Sequence, residues 1–316
     1  MMAPWSILVL GAGELGTAIT TSLLSHPSYN TTTTSITFVV RSETVSSLDS
    51  DTTSARIASL RSFRTRGVTF TSADLVSDSE DSLAALFSKH NCVVHAGAMT
   101  LPPGTQLKVT RAALAACVDE YIPWQWGVDY DVITREGGKG LFAEQCDVRD
   151  LLRSQSRTRW FILSCGVFMS FIFEDFWGVV VRDDKGNIQG IRALGGWDHL
   201  ITATTVEDIA KCNAELLLVD TQRRGTAVYI AGDTLKYEEF AKLVESVFGR
   251  DIKKEEWTTQ HLVADSEKEP ENKLLKYRIV FSDGKGLAWS KSGTYNDVKG
   301  IQMEGIEEYM RRMAME

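Results

Sequence analysis

Ser6-Ile-Leu-Val-Leu-Gly11-Ala-Gly13-Glu14-Leu15-Gly16-Thr-Ala-Ile is the stretch that decides the fold. An apolar run enters a G-x-G-x-x-G turn, and residues with helical patterning follow. Each glycine has a separate task. Gly11 permits a tight turn, Gly13 lets the backbone approach a pyrophosphate, and Gly16 lets the helix pack closely on the strand. The helix N-terminus then presents backbone N–H groups to negative charge. Glu14 and Leu15 lie inside the same turn and are expected to contact the same dinucleotide. Glycines alone would say little; the order strand, turn, helix gives the motif its meaning.

Composition limits what the rest of the chain can be. Of 316 residues, 43% are hydrophobic and 24% charged, enough for one large domain or two modest ones. The net charge is −8 with no compensating basic block. That excludes a general binder of nucleic acid or of an anionic membrane. The first apolar run is too short for a secretory signal, and no stretch approaches a membrane span. Five cysteines are widely spaced without a C-x-x-C pair, and read as reduced thiols of a cytoplasmic protein. Five histidines lack ligand spacing, so no metal site is expected.

Outward from the turn, strands and helices alternate. Strands are expected over residues 6–10, 36–40, 67–71, 92–96, 120–124 and 160–164. Helices are expected over 14–25, 80–89, 104–119 and 139–155. This alternation implies an α/β Rossmann fold, a doubly wound parallel sheet with helices on both faces. After about residue 170 the pattern changes. Residues 179–192 read as a hairpin turning at Asp184-Lys-Gly-Asn187, followed by a strand near 199–204, a helix over 206–219 and a strand over 226–231. An amphipathic helix is expected to open at Thr234 and end at Gly249. Residues 259–281 read as mainly helical, and 305–314 as a short helix. The expected division is an NAD(P)-binding domain over 1–165, with segments near 199–231 returning to it. Residues 166–316 are then mainly a smaller α/β substrate-binding or lid domain.

Several separated motifs together resemble the NmrA-like and isoflavone-reductase-like branch of the atypical short-chain dehydrogenases. Beside the glycine turn these are Phe38-Val-Val-Arg41-Ser42, Gly67-Val-Thr-Phe with Asp74-Leu75, and Tyr121-Ile-Pro-Trp-Gln-Trp-Gly127-Val-Asp129. The last is similar to the family's (F/Y)-(L/I)-P-S-E-F-G-x-D. Val206-Glu-Asp-Ile-Ala210 and Tyr229-Ile-Ala-Gly-Asp-Thr-Leu-Lys-Tyr-Glu-Glu-Phe240 complete the set. The run P-W-Q-W-G-V-D-Y-D points to a fungal isoflavone-reductase-like subgroup. The resemblance implies a Rossmann domain with a smaller substrate domain, NADP(H) as cofactor, and aromatic or conjugated metabolites as substrates. NmrA-type members bind the dinucleotide without known turnover.

The residues themselves refine those implications. Arg41 ends the second strand where an NAD site commonly places an acid; a guanidinium pairs with a 2′-phosphate, and Ser42 adds a second donor. The alternative is an arginine capping a strand edge, with Glu43 reaching a ribose. Ala96-Gly97-Ala98 supplies small residues where a cofactor crosses the sheet's carboxyl edge. By resemblance Trp124 and Trp126 line the nicotinamide pocket, where two indoles suit an aromatic or polyketide-like substrate; core packing is the competing reading. Phe168, Phe171, Phe176 and Trp177 would form an apolar wall and lid, Phe168 also meeting the cofactor, or a buried hinge between domains.

One departure matters for chemistry. Family reductases carry F-x-x-K followed by x-x-V-R, the lysine being the proposed acid/base; here the segment is Phe142-Ala-Glu-Gln145-Cys-Asp-Val148-Arg149. Gln145 can donate a hydrogen bond but cannot exchange a proton near neutral pH. Tyr130 and His199 are then the remaining candidates for the developing anion, with Asp129 and His95 read as structural. Three functions stay open: an NADPH-dependent reductase, an NADP-binding sensor without turnover, and a redox-neutral isomerase, lyase or cyclase. The expected partner is a small molecule, and a homodimer is left open.

Overall fold

The computed structural model describes residues 5–51, 53–97, 101–220 and 224–315. Among the described residues the strands are β1 (Trp5–Leu10), β2 (Thr34–Val40), β3 (Thr69–Ser72), β4 (Cys92–His95), β5 (Glu120–Ile122), β6 (Arg159–Ser164), β7 (Val167–Phe168), β8 (Val180–Arg182), β9 (Ile188–Leu194), β10 (Leu200–Thr204), β11 (Thr226–Tyr229), β12 (Asp233–Lys236) and β13 (Lys253–Trp257). A seven-stranded sheet has the order β11-β6-β5-β4-β1-β2-β3. The pairs β1·β2, β1·β4, β2·β3, β4·β5 and β5·β6 are all parallel. Chain order therefore reverses between β1 and β4, the topological switch point at which doubly wound sheets open a crevice at their carboxyl edge. β1 and β4 read as near-continuous apolar runs because both faces are covered. No helix among the described residues is long and apolar enough to cross a membrane.

The chain forms two compact units. The first comprises residues 1–125, 147–162 and 210–227; the second comprises 126–146, 163–209 and 228–316. Residues 126–146 thus group with the second unit, on the far side of the boundary expected at 165. Only the segment 210–227 of the later chain returns to the first. The first unit's core is built on Leu8, Leu10, Val93, Tyr121 and Ile162 of the sheet, with Val109, Ala112 and Leu152 from the covering helices.

The second unit carries two three-stranded sheets, β12-β10-β7 and β13-β9-β8. The expected hairpin is present: β8 and β9 run antiparallel. The Asp183 carboxylate closes the turn by accepting from the N–H groups of Lys185 at 3.0 Å and Asn187 at 2.8 Å. The Asn187 side-chain amide and backbone N–H, and to a lesser degree the Lys185 N–H, hold Asp183 below the usual carboxylate range.

One expectation needs correction. The helix expected to open at Thr234 is a strand there, since β12 pairs antiparallel with β10 (Thr202 opposite Thr234, hydroxyls 2.7 Å apart). The helix spans Tyr237–Phe248 and ends, as expected, at Gly249 in the left-handed region at φ 64°. The pairing with β10 decides the conformation of Asp233–Lys236, which local patterning alone cannot see. No element is read from the sequence at β13, whose Lys-Lys-Glu-Glu-Trp carries no apolar alternation. It is a strand because it pairs in parallel with β9.

Candidate active site

The first unit carries the glycine turn between β1 and the helix Glu14–Ser25. Gly11 leaves β1 at φ 98°, a conformation that favours glycine. Its N–H donates to the Val39 carbonyl of β2 at 3.2 Å. On the other side, a Cβ at Gly11 would lie 3.2 Å from the Ala96 oxygen and the Gly97 Cα. The helix Glu14–Ser25 starts at Gly13. A Cβ on Gly16 would sit 1.9 Å from the Gly11 carbonyl oxygen, so the helix and turn meet backbone to backbone. A Cβ on Gly13 would meet nothing within 4 Å. Gly13 therefore faces open space at a helix N-terminus, where unpaired N–H groups attract an anion. Thr17 Oγ1 donates back to the Gly13 carbonyl at 2.8 Å and steadies the first turn. Leu15 is buried, leaving only its backbone for a ligand, while Glu14 is exposed.

Arg41 follows β2 directly, is exposed, and stands as the N-cap of the helix Ser42–Leu48. Beyond β3, Asp74 is held below the usual carboxylate range, chiefly by the N–H groups of Val76 and Ser77 and least by the Arg41 guanidinium. At the end of β4, Ala96 is buried. A Cβ on Gly97 would lie 2.8 Å from His95 Nε2. Ala98 lies outside the described residues. His95 is fully buried, and burial pushes its imidazole down to about 3. It is neutral at ordinary pH and belongs to the core. Trp124 is half-buried. Its neighbour Gln125 is buried and accepts a 2.8 Å hydrogen bond from Nε of Arg149, a guanidinium with 0% exposure.

The second unit holds the remaining residues in separate clusters. Trp126 is 3% exposed. Asp129 caps the short helix Tyr130–Ile133 through the Asp131 N–H at 3.0 Å and accepts from the Tyr229 hydroxyl at 2.7 Å. The Tyr130 ring is buried against Phe142, with centroids 4.8 Å apart. Gln145 is 6% exposed on the helix Ala143–Arg153. Phe168, Phe171 and Phe176 form a row of half-buried rings, with centroid spacings of 5.5 and 5.8 Å. Trp177 points elsewhere: it is buried and packs on Phe281 at 4.6 Å. Cys165 is buried and its thiol is pushed well up by burial, which removes it as a nucleophile.

His199 sits in a nest of glycines. A Cβ on Gly195 would lie 2.6 Å from its ring, and one on Gly284 3.2 Å. Both glycines have positive φ, 86° and 67°. His199 Nδ1 is buried with no hydrogen-bond partner among the described residues. Asp283, next to this ring, is raised by burial, with Lys285 and His199 opposing the shift.

Sequence reasoning missed Arg278. Its guanidinium donates to the Phe176 carbonyl at 2.6 Å and the Trp177 carbonyl at 3.0 Å, fixing the end of the aromatic segment. Arg278 also lies over the Trp257 ring at 5.2 Å, as does Arg192 at 4.5 Å. No local pattern marks an arginine whose partners are a hundred residues away.

Comparison with known proteins agrees with this architecture. The profile of the NmrA-like family matches residues 5–310. An NmrA-like family domain-containing oxidoreductase of Gibberella moniliformis (strain M3125 / FGSC 7600) is 37% identical over 308 residues, covering 97% of each chain. Among solved structures, an isoflavone reductase superposes with a TM-score of 0.76 at 16% identity, covering 98% of this chain and 100% of that one. A leucoanthocyanidin reductase–NADPH complex from Vitis vinifera gives 0.75 at 15%, with the same coverage. AtPrR2 with NADP+ and (+)pinoresinol gives 0.74 at 18%, covering 99% of both chains. At these identities the structural likeness establishes the fold.

Proposed function

Because the chain belongs to the NmrA-like family, we propose that it is an NADPH-dependent reductase of a small aromatic or conjugated, polyketide-like metabolite. The observation that carries this reading is the glycine turn, open at Gly13 and closed on itself at Gly16, with Arg41 at the end of the neighbouring strand. The backbone N–H groups that open the helix Glu14–Ser25 would hold the pyrophosphate. Arg41 and Ser42 would hold the 2′-phosphate. Bound NADPH supplies a hydride from nicotinamide C4 to an electrophilic carbon. Trp124, Trp126 and the row Phe168, Phe171, Phe176 would present apolar surface to an aromatic substrate and exclude water from it. Gln145 would donate a hydrogen bond to the developing anion; Tyr130 or His199 would supply the proton. The named relative is called an oxidoreductase, and two of the structural neighbours hold NADP+ or NADPH. Both facts support the reading.

Gln145 also supports a second reading. A chain without an acid/base at this position suits an NADP-binding sensor, or a redox-neutral isomerase, lyase or cyclase. One experiment orders the three. Purified protein is titrated with NADPH and with NADH while nicotinamide and tryptophan fluorescence are followed. NADPH is expected to bind more tightly, and Arg41→Ala to weaken NADPH by about 10- to 100-fold while leaving NADH unchanged, the scale of a lost charge-assisted pair. Oxidation of NADPH by aromatic enones or imines then marks the reductase. Binding without turnover across that screen marks the sensor or redox-neutral reading, and binding of neither nucleotide removes the redox reading. Reduced cysteines and an acidic surface suit a cytoplasmic enzyme.

A further inference from the structure

β13 is an edge strand: its sheet has the order β13-β9-β8, so one side of Lys253–Trp257 has no neighbouring strand among the described residues. The register settles which residues face outward. β13 pairs in parallel with β9, and the Trp257 carbonyl accepts from the Gly195 N–H at 2.8 Å on that side. Main-chain groups alternate along a strand. Lys253, Glu255 and Trp257 therefore bond toward β9, and Lys254 and Glu256 turn their N–H and C=O groups away from it. Both outward residues are exposed, and the Lys254 ammonium is held 2.9 Å from the Glu245 carboxylate of the helix Tyr237–Phe248, a pair that it would share with the partner's Glu256. Among the described residues their main-chain groups have no other partner. No bulge interrupts the β13·β9 register, and no proline lies in the strand.

We propose that this edge pairs with the same edge of a second copy of the chain, antiparallel and about a two-fold axis at Glu255. A two-fold axis through such a pair keeps each residue on its own face, so residues pair only when their numbers sum to an even value. Three registers centre on the outward residues and their midpoint. Centring on Lys254 sets lysine against lysine, and centring on Glu256 sets glutamate against glutamate. Centring on Glu255 sets Lys254 beside the partner's Glu256, and Glu256 beside the partner's Lys254. Those are the residues whose main-chain groups face outward, so each opposite-charge pair also exchanges main-chain hydrogen bonds, about four in all. The two Glu255 carboxylates meet at the axis already paired, each to Arg192 at 2.6 Å and to Lys253. Charged residues also serve to block edges. A block needs only like charge, whereas Lys254 and Glu256 are complementary in the one register that the outward groups select. The inference is independent of the redox reading.

Sedimentation velocity of the intact protein over a concentration series tests it. The wild type is expected to reach twice the chain mass at the upper end, and high salt to weaken the association. Lys254→Glu makes the outward pair wholly acidic and Glu256→Lys makes it wholly basic. Each alone is expected to weaken self-association by about tenfold or more. An equimolar mixture of the two variants restores opposite charges in both pairs and is expected to associate again. The double variant Lys254→Glu/Glu256→Lys is complementary to itself and is expected to associate like the wild type. Unchanged circular dichroism and Tm check that each variant is folded. A monomeric wild type, single variants that still dimerise, or a mixture that stays monomeric would overturn the proposal.

Discussion

Glycine does opposite work in the two units. In the first, Gly11, Gly13 and Gly16 stand two and three residues apart, and the absence of side chains leaves space at Gly13 and backbone contact at Gly16. In the second, Gly195 and Gly284 are far apart in sequence and close on one imidazole, that of His199. The first arrangement is a local motif that leaves open space at a helix N-terminus. The second is a tertiary nest that holds a side chain of the protein itself. Each unit also sets a histidine against glycine, His95 behind Gly97 and His199 behind Gly195, but only His95 is fully buried.

The sharpest test of the contrast is within the first motif. Gly16→Ala would place a methyl 1.9 Å from a backbone oxygen, which cannot move away as a side-chain tip can. It is expected to cost more than about 4 kcal/mol and to leave little folded protein. Gly13→Ala meets nothing within 4 Å, so Tm should hold while NADPH affinity falls about tenfold. Equal losses of stability in the two variants would break the distinction between the packing glycine and the ligand-facing one.

His95 gives the first unit a pH signature of its own. Burial lowers its pKa from 6.5 to about 3. The folded state therefore disfavours the proton more than the unfolded chain does. Its neutral form is fully compatible with the fold above pH 6.5, and stability falls as pH drops from there toward 3. The expected slope is about 1.4 kcal/mol per pH unit. Chemical denaturation between pH 7 and 4 should show a shallower acid limb for His95→Gln. An unchanged limb would mean that other groups govern acid unfolding.

In the second unit, Gly195→Ala would bring a Cβ within 2.2 Å of the Ser282 carbonyl as well as 2.6 Å of His199, at φ 86°. A loss of about 2–4 kcal/mol is expected. Removing the imidazole should rescue little of it, because the backbone clash remains. Gly284→Ala is milder, its nearest contacts being the His199 ring at 3.2 Å. Here His199→Ala should recover part of a loss of about 1–2 kcal/mol, a coupling that a double-mutant cycle reads directly. Additive effects at Gly284 and His199 would show that the nest does not close on the ring.

How far the sequence could be read followed from how local each cause was. The glycine turn, the helix Glu14–Ser25 and the alternation that builds the large sheet all depend on neighbours within a few residues, and were legible. Gly249 ended its helix as expected because a left-handed residue at a helix C-terminus is a local device. Thr234 misled, since its strand exists only against β10. β13 was invisible for the same reason. Within the candidate site, two aromatic groups that looked alike in sequence diverged. Phe168, Phe171 and Phe176 line up, whereas Trp177 turns into the core onto Phe281.

By itself the sequence determined the Rossmann fold, the glycine turn and the positively charged end of β2, because a period of two or 3.6 residues and a fixed glycine spacing act over distances the chain itself spans. Tertiary structure alone decided that residues 126–146 join the second unit, that Arg278 grips the Phe176 and Trp177 carbonyls, and that His199 lies among glycines drawn from two segments. Burial and main-chain pairing between distant residues are properties of the folded arrangement, and no window along the chain contains them.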